Sequence, residues 1–137
     1  MLKISRLGAY GVAQKGDELL LIIQETGPYI NLYDLPGGKI EFGETVEQTL
    51  HREFIEEVGM DFASMTQIGN FSSCHEVPAK GDASPYTFHR IGLIYAVSDL
   101  KVVEASKKGL QYAWIDIRAL SQDEVSPFVW ELFHHHQ

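Results

Sequence analysis

The chain has 137 residues, 45% of them hydrophobic, so it can bury one core and is expected to form a single domain over residues 1–137. Its 19 acidic and 11 basic residues give a formal charge of −8. This balance disfavours nucleic acid as a partner, because broad phosphate-binding surfaces depend on many Lys and Arg side chains. If the ligand is polyanionic, something other than protein charge must neutralise it, and a divalent metal is the obvious candidate.

Cysteine content and hydropathy indicate the cellular compartment of the protein. Cys74 is the only cysteine, so no intramolecular disulfide can form. The longest apolar stretches have the length of strands, and none has the length of a signal peptide core or a membrane span. We therefore expect a cytoplasmic protein that does not contact a membrane, either a monomer or a homodimer.

The N-terminal third predicts sheet. Apolar and β-branched residues fill Ile4–Val12 and Glu18–Ile23, and the turn signal Lys15-Gly16-Asp17 lies between them, so a hairpin is expected. An irregular stretch from Gly27 to Gly38 follows. Its tyrosines, Tyr29 and Tyr33, suggest a segment that faces a ligand, although tyrosines in loops more often cover a core.

The clearest helix runs from Thr45 to Val58. Thr45 and Gln48 form a capping-box pair at its start, and Gly59 supplies a C-terminal stop. Beyond it, periodicity predicts three strands and a closing helix. These are Gln67–Ser73, Tyr86–Val97 and Leu110–Ile117 as strands and Ser126–His135 as a helix. The mixture indicates an α/β domain with helices packed on a mixed sheet.

Three glutamates converge on one face of this helix. At about 100° of rotation per residue, Glu53 and Glu57 lie roughly 40° apart, and Glu56 lies about 60° to the other side of Glu53. Glu57 falls between Val46 and Leu50 of the apolar stripe, so these carboxylates are not simply on the solvent face. That position disfavours the alternative of a merely solvated acidic face.

Carboxylates crowded at the edge of a buried stripe lose hydration and repel each other, which costs roughly several kcal/mol if nothing compensates. A bound dication removes both penalties. Ligands that are all oxygen suit Mg²⁺ or Mn²⁺, and Mg²⁺ characteristically takes further ligands from substrate phosphates. The cluster therefore predicts a metal site and a phosphorylated substrate.

The segment from Gly38 to Met60 resembles the signature of the Nudix hydrolase family. That signature is a glycine, five residues, a glutamate, seven residues, and then Arg-Glu-apolar-any-Glu-Glu-any-Gly-apolar. Its fixed positions are filled by Gly38, Glu44, Arg52, Glu53, Glu56, Glu57 and Gly59. The resemblance implies the family's α/β/α sandwich around a mixed sheet, and attack of water on a phosphorus of a nucleoside diphosphate linked to another group.

The resemblance also implies roles for individual residues. Glu53, Glu56 and Glu57 would bind the metal, the Gly38 carbonyl would be a backbone ligand, and Arg52 and Glu44 would be an orienting pair. The family places its general base variably. Glu53 is the first candidate here, and Glu76 is the second because it opens the predicted Val77–Pro85 loop.

The motif leaves the substrate open between a nucleoside triphosphate, which we favour, and a dinucleotide-like compound such as ADP-ribose. Tyr29, Tyr33 and Phe88 are candidate substrate-binding residues, because an aromatic ring can stack on a base. A catalytically silent nucleotide-binding module is the alternative of another class. The acidic balance disfavours RNA end processing.

Overall fold

The computed structural model describes residues 1–103 and 109–135. The elements in chain order are β1 (Leu2–Lys15), β2 (Glu18–Ile23), β3 (Tyr33–Asp34), β4 (Gly37–Lys39), α1 (Val46–Val58), β5 (Met60–Asp61), β6 (Ser64–Val77), β7 (Tyr86–Ser98), β8 (Lys101–Val102), β9 (Tyr112–Ile115) and α2 (Pro127–His135). Two 3₁₀ turns, Ile117–Ala119 and Gln122–Glu124, precede α2. Within the described part of the chain, no helix is long and apolar enough to cross a membrane.

Seven strands form one mixed sheet. Five of them follow the order β3-β2-β1-β7-β6, with β4 paired to β1 and β9 paired to β2. The long pairing of β1 with β7 is parallel, and the other pairings in this sheet are antiparallel. β5 and β8 form a separate two-stranded ribbon. The predicted α/β class and the predicted hairpin of β1 and β2 are confirmed.

The strands bury residues on both faces, because successive side chains point to opposite sides of a sheet. On β1, Ala9 and Ala13 pack towards α1, whereas Tyr10 and Val12 pack towards α2. Buried residues of the helices complete the two layers. From α1 these are Leu50, Phe54 and Val58, and from α2 they are Phe128, Val129 and Leu132. The result is a sandwich of helix, sheet and helix.

Helix α1 begins and ends as predicted. Thr45 is the N-cap, its side chain accepts a hydrogen bond from the Gln48 backbone N–H, and the reciprocal bond of the capping box is present. Gly59 adopts the left-handed conformation at φ 67° and ends the helix. The local sequence therefore fixes which residues of α1 face the sheet.

Several predicted boundaries were wrong. The strand predicted at Gln67–Ser73 extends over Ser64–Val77, because backbone pairing with the long β7 continues past its apolar residues. The predicted Leu110–Ile117 strand is limited to Tyr112–Ile115. The stretch predicted to be irregular contains the short strands β3 and β4, which are recruited by pairing with β2 and β1 rather than by any pattern of their own.

Candidate active site

Helix α1 lies close to β1 and β4. A Cβ atom added at Gly11 of β1 would come within 2.6 Å of the Phe54 ring, so the helix packs directly on the strand backbone there. Glu53 and Glu57 lie on the same side of the helix as Phe54, and both are buried, with 5% and 4% of their surface exposed. The predicted position of these two carboxylates at the edge of the apolar stripe is confirmed.

Glu57 is held by the backbone of β4. The Gly37 N–H donates a hydrogen bond of 2.9 Å to Glu57 Oε1. Gly37 has a φ of +140°, and a Cβ atom there would lie 2.2 Å from the Ala9 carbonyl oxygen. Only glycine fits this position, and its N–H compensates part of the desolvation of the Glu57 carboxylate.

Glu53 packs against the next residue of β4. A Cβ atom at Gly38 would lie 2.7 Å from the Glu53 carboxyl carbon and within 2.8 to 3.0 Å of its two oxygens. The side chain of any other residue would occupy the space of this carboxylate. Gly38 therefore allows Glu53 to approach the β4 backbone.

Arg52 and Glu44, for which the resemblance implies an orienting role, are in direct contact. Arg52 Nε donates to Glu44 Oε2 at 2.7 Å and Arg52 Nη2 donates to Glu44 Oε1 at 2.9 Å, which is a bidentate contact. The hydrogen bonds from Arg52, followed by that from the Glu41 N–H, lower the pKa of Glu44 to about 2. Arg52 Nη2 also donates to the Lys39 carbonyl at 3.2 Å, so the pair ties α1 to the end of β4.

The third guanidinium nitrogen of Arg52 contacts the carboxylates of Glu53 and Glu56. Nη1 donates to Glu53 Oε1 at 2.7 Å and to Glu56 Oε2 at 3.3 Å. A positive group thus lies between two carboxylates of the predicted metal-binding set. In this arrangement, no group of three or more His, Cys, Asp or Glu side chains among residues 1–103 and 109–135 could hold a metal ion.

The donor set nevertheless fits a hard cation by its chemistry. Glu53, Glu56, Glu57 and the Gly38 carbonyl offer only oxygen, which is the ligand type that Mg²⁺ and Mn²⁺ prefer. The contact of Arg52 with Glu53 and Glu56 shows that these two carboxylates accept a shared cationic partner. Because Gly38 has no side chain, the Glu53 carboxylate can lie beside the β4 backbone.

Glu76, the second candidate for the general base, is not brought to this cluster. It lies within β6 rather than at the start of a loop, and it pairs with Thr87 of β7. Thr87 pairs with Lys3 of β1, whereas Gly38 pairs with Ala9. Positions 3 and 9 of a strand lie about 20 Å apart. The strand register therefore places Glu76 far from Gly38 and the glutamates beside it.

The predicted substrate-binding residues are brought together only in part. Tyr29 and Phe88 are in edge-to-face contact, with ring centroids 6.0 Å apart, and both are buried. His75 lies 5.7 Å from Tyr29 between ring centroids. Tyr33 lies on β3 and packs against the core on the α2 side.

A cleft of about 420 Å³ lies beside this aromatic group. Its lining includes Tyr29, His75, Ser126 and Phe128. A second cavity of about 470 Å³ lies between the β1–β2 hairpin and α2, and none of the predicted site residues lines it. The smaller cleft is therefore the one that adjoins predicted site residues.

Sequence reasoning missed a buried polar network near this cleft. Arg90 Nη2 donates to Asp34 Oδ2 at 2.8 Å, and both residues are almost fully buried. Gln24 and Ser126 also donate to Asp34, at 3.0 and 2.6 Å, as does the Leu35 N–H at 2.9 Å. One signal was available, because Arg90 is the only residue of the predicted Tyr86–Val97 strand with a permanent charge.

A family model described as the NUDIX domain matches residues 4–135. The chain belongs to the Nudix family. Nudix hydrolases generally use divalent metals and act on small nucleotide substrates. The predicted family and fold are therefore confirmed.

Similar Nudix proteins agree with this assignment. The chain is 38% identical over 63 residues to an ADP-ribose pyrophosphatase of Methanocaldococcus jannaschii, and 36% identical over 58 residues to a putative 8-oxo-dGTP diphosphatase of Bacillus subtilis. These matches cover 46% and 42% of this chain, but only 37% of either relative. A MutT Nudix hydrolase structure from Burkholderia pseudomallei has a TM-score of 0.76 at 20% identity, covering 98% of this chain and 99% of that one.

Proposed function

We propose that this protein is a metal-dependent hydrolase that cleaves a phosphoanhydride bond in a nucleoside-diphosphate-linked compound. The observation that carries the proposal is the burial of Glu53 and Glu57 against the Gly37–Gly38 backbone, with Arg52 contacting Glu53. Two buried carboxylates on one helix face favour a cation, and a cation beside them favours a phosphorylated substrate. The names of the two relatives, a pyrophosphatase and a diphosphatase, agree with this reaction class.

Glu53, Glu56, Glu57 and the Gly38 carbonyl would hold the metal, which we propose is Mg²⁺, with Mn²⁺ as a substitute. When bound, it would supply charge stabilisation to the phosphoryl oxygens and lower the pKa of water. The chain's own residues fix the position of these ligands. Glu57 is oriented by the Gly37 N–H, and Glu53 by its contact with Gly38.

We assign orienting roles to Arg52 and Glu44. Their bidentate contact holds Arg52 over the helix, so that its Nη1 reaches Glu53 and Glu56. Glu53 is the proposed general base, because it lies inside the cluster. Glu76 stays a second candidate that the strand register does not favour.

The nucleoside would bind at the cleft of about 420 Å³. Tyr29 lines the cleft, and Phe88 contacts Tyr29 from the sheet and fixes the orientation of its ring. Ser126, also on the lining, donates to Asp34, which lies three residues before Gly37. Tyr33 contributes its backbone, because its carbonyl accepts a hydrogen bond of 2.9 Å from the Ser126 N–H.

A nucleoside triphosphate, cut to monophosphate and pyrophosphate, is the substrate we favour. A dinucleotide-like compound such as ADP-ribose is the second candidate, and the 38% identity to an ADP-ribose pyrophosphatase supports it. A cytoplasmic location, a single domain and a monomeric or dimeric state complete the proposal. The single cysteine and the one family model over residues 4–135 support the first two.

The test is cleavage of nucleoside triphosphates, ADP-ribose, NADH, sugar nucleotides and dinucleoside polyphosphates, each with Mg²⁺, Mn²⁺ or EDTA, with the nucleotide products separated by chromatography. Pyrophosphate release is measured only for the triphosphates, because cleavage of the other diphosphate bridges gives two phosphomonoesters. We expect metal-dependent cleavage of one subset, which would also identify the substrate class. The Glu57→Gln variant, prepared in parallel, should be inactive on that subset. If the folded wild-type protein cleaves none of these compounds, the nucleotide-binding module is favoured instead.

A further inference from the structure

Arg90 of β7 contacts two residues that adjoin the segment Leu35–Gly37, which leads into the proposed metal-ligand backbone. Its Nη2 donates to Asp34 Oδ2 at 2.8 Å, and its Nε donates to the Tyr10 hydroxyl at 3.3 Å. Asp34 comes directly before Leu35-Pro36-Gly37, and Tyr10 pairs with Gly37 across β1 and β4. One buried guanidinium thus connects the residue before this segment with the partner of its last residue.

Several hydrogen bonds hold the Asp34 carboxylate in place. Besides Arg90, the carboxylate accepts hydrogen bonds from the Leu35 N–H, the Ser126 hydroxyl and the Gln24 amide. These donors come from the segment itself, from the start of α2 and from the end of β2. These donors fix the orientation of Asp34, and with it the N-terminal end of the segment relative to the sheet and to α2.

The Tyr10 ring lies between Arg90 and the last residue of the segment. A Cβ atom at Gly37 would lie 2.7 Å from the Tyr10 Cα and 2.9 Å from its Cδ1, so the Tyr10 ring lies directly against Gly37. The Arg90 guanidinium carbon lies 4.4 Å from the Tyr10 ring centroid and 4.0 Å from that of Phe128. The ring beside Gly37 is therefore held between the β4 backbone and a buried cation.

Between these two contacts lies the donor that orients Glu57. The Gly37 N–H reaches Glu57 Oε1, and the Pro36 carbonyl accepts a hydrogen bond of 2.9 Å from the Gly11 N–H. A small rotation of this segment would move the Gly37 N–H away from Glu57. It would also move the carbonyl of Gly38, the next residue.

We propose that Arg90 is a positioning residue for the metal site: by binding Asp34 and Tyr10, it fixes the Leu35–Gly37 segment and thereby Glu57 and the Gly38 carbonyl. Replacing a buried ion pair by apolar residues is often neutral or stabilising, so we assign this pair a role in conformational specificity rather than in net stability. The inference rests on the proposed function, because it assumes that Glu57 and Gly38 bind the metal.

The test compares Arg90→Met with Leu132→Ala, a cavity-forming substitution in the same core layer as Tyr10 and Phe128. Mn²⁺ binding is measured directly, by electron paramagnetic resonance of free Mn²⁺, at a temperature where circular dichroism shows each variant folded. Outer-shell substitutions typically weaken metal binding about 10- to 100-fold. We expect that loss in Arg90→Met, and a change below about threefold in Leu132→Ala.

Kinetics with a cleaved nucleotide provide the second readout. At saturating Mn²⁺, kcat of Arg90→Met should fall at least about tenfold, while KM changes less than about threefold, because the segment orients catalytic groups. Arg90→Lys, which keeps the charge, should retain more activity than Arg90→Met. If Arg90→Met does not fold, Tyr10→Phe removes only the hydroxyl that accepts from Nε, and it should weaken Mn²⁺ binding at least about threefold.

The outcomes separate this inference from the proposed function. Wild-type Mn²⁺ affinity and turnover in folded Arg90→Met, or in Tyr10→Phe where that variant replaces it, would overturn the positioning role while Glu57→Gln still abolishes both. An equal loss in Leu132→Ala would also overturn it, because the effect would then be one of general destabilisation. If the wild-type protein binds no Mn²⁺ and Glu57→Gln changes nothing, the proposed function itself fails, and this inference fails with it.

Discussion

The Gly37 backbone N–H donates a 2.9 Å hydrogen bond to Glu57 Oε1, across 20 positions of the chain. This contact joins β4 to α1 at the point where the buried glutamates meet the Gly37–Gly38 backbone. A hydrogen bond to a charged acceptor is stronger than one between neutral groups. Glu57 is therefore oriented by backbone that only glycine permits at this position.

Glu57→Gln keeps the shape of the side chain but removes its charge. We expect turnover to fall at least about a hundredfold, because the loss of a metal ligand or of its orientation costs this much or more. The matched control is Glu47→Gln, which changes an exposed glutamate in the first turn of the same helix. The measurement is the initial rate under metal saturation. Near-normal turnover of Glu57→Gln would contradict the assignment of Glu57 as a metal ligand.

Gly38→Ala tests the close approach of Glu53. The added Cβ would lie 2.7 Å from the Glu53 carboxyl carbon, so the carboxylate must move. We expect weaker Mn²⁺ binding and at least about tenfold lower turnover. Gly16→Ala is the control, because its Cβ meets nothing within 4 Å and only the positive φ of the turn is strained. Equal activity of the two variants would show that Glu53 does not depend on Gly38.

Helical periodicity predicted the burial of Glu53 and Glu57, because the positions of both residues on the wheel follow from the sequence of one helix. The capping residues Thr45 and Gly59 were predicted for the same reason. These are local relationships, and local sequence determines them. The contact of Arg52 with Glu56, four positions further along the same helix, is also a local relationship.

The Asp34–Arg90 pair could not be predicted in the same way. The two residues are 56 positions apart, and an aspartate before Leu-Pro-Gly-Gly looks like a turn residue when it is considered alone. The predicted position of Glu76 at the start of a loop was wrong for a related reason. The strand predicted from the sequence ends at Ser73, but pairing of β6 with β7 continues it through Val77. Only long-range pairing decides such positions.

The Arg52–Glu44 contact predicts a pH dependence of stability. Because the pKa of Glu44 is about 2 in the folded protein, against an ordinary value of 4.5, the folded state favours its ionised form. The free energy of unfolding should therefore include a contribution that is present above about pH 4.5 and is lost as the pH falls towards 2. Urea unfolding of the wild type and Glu44→Gln at several pH values measures it. A difference between the two proteins that stays constant down to pH 2.5 would contradict the role of the ion pair.

Metal binding should stabilise the folded protein. A ligand bound only by the folded state raises its melting temperature, so millimolar Mg²⁺ should increase the melting temperature by about 3 °C or more. In Glu57→Gln the shift should be much smaller, because the charge that attracts the cation is reduced. Differential scanning fluorimetry with Mg²⁺, or with EDTA as the blank, provides the comparison. The absence of any shift in the wild type would count against the glutamates as a metal site.

The buried pair of Asp34 and Arg90 makes a separate prediction for stability. Arg90→Met leaves the Asp34 carboxylate buried without its cation, and the loss of one partner of a buried pair typically costs about 3 to 5 kcal/mol. Asp34→Leu should cost a similar amount, since it also leaves the donors of Leu35 and Ser126 without an acceptor. In the double variant no charge is left buried alone, so its destabilisation should be smaller than the sum of the two single effects by about 1 to 3 kcal/mol. Urea unfolding of all four proteins closes this double-mutant cycle. Strict additivity would show that the two side chains act independently, although the structure places their charged groups 2.8 Å apart.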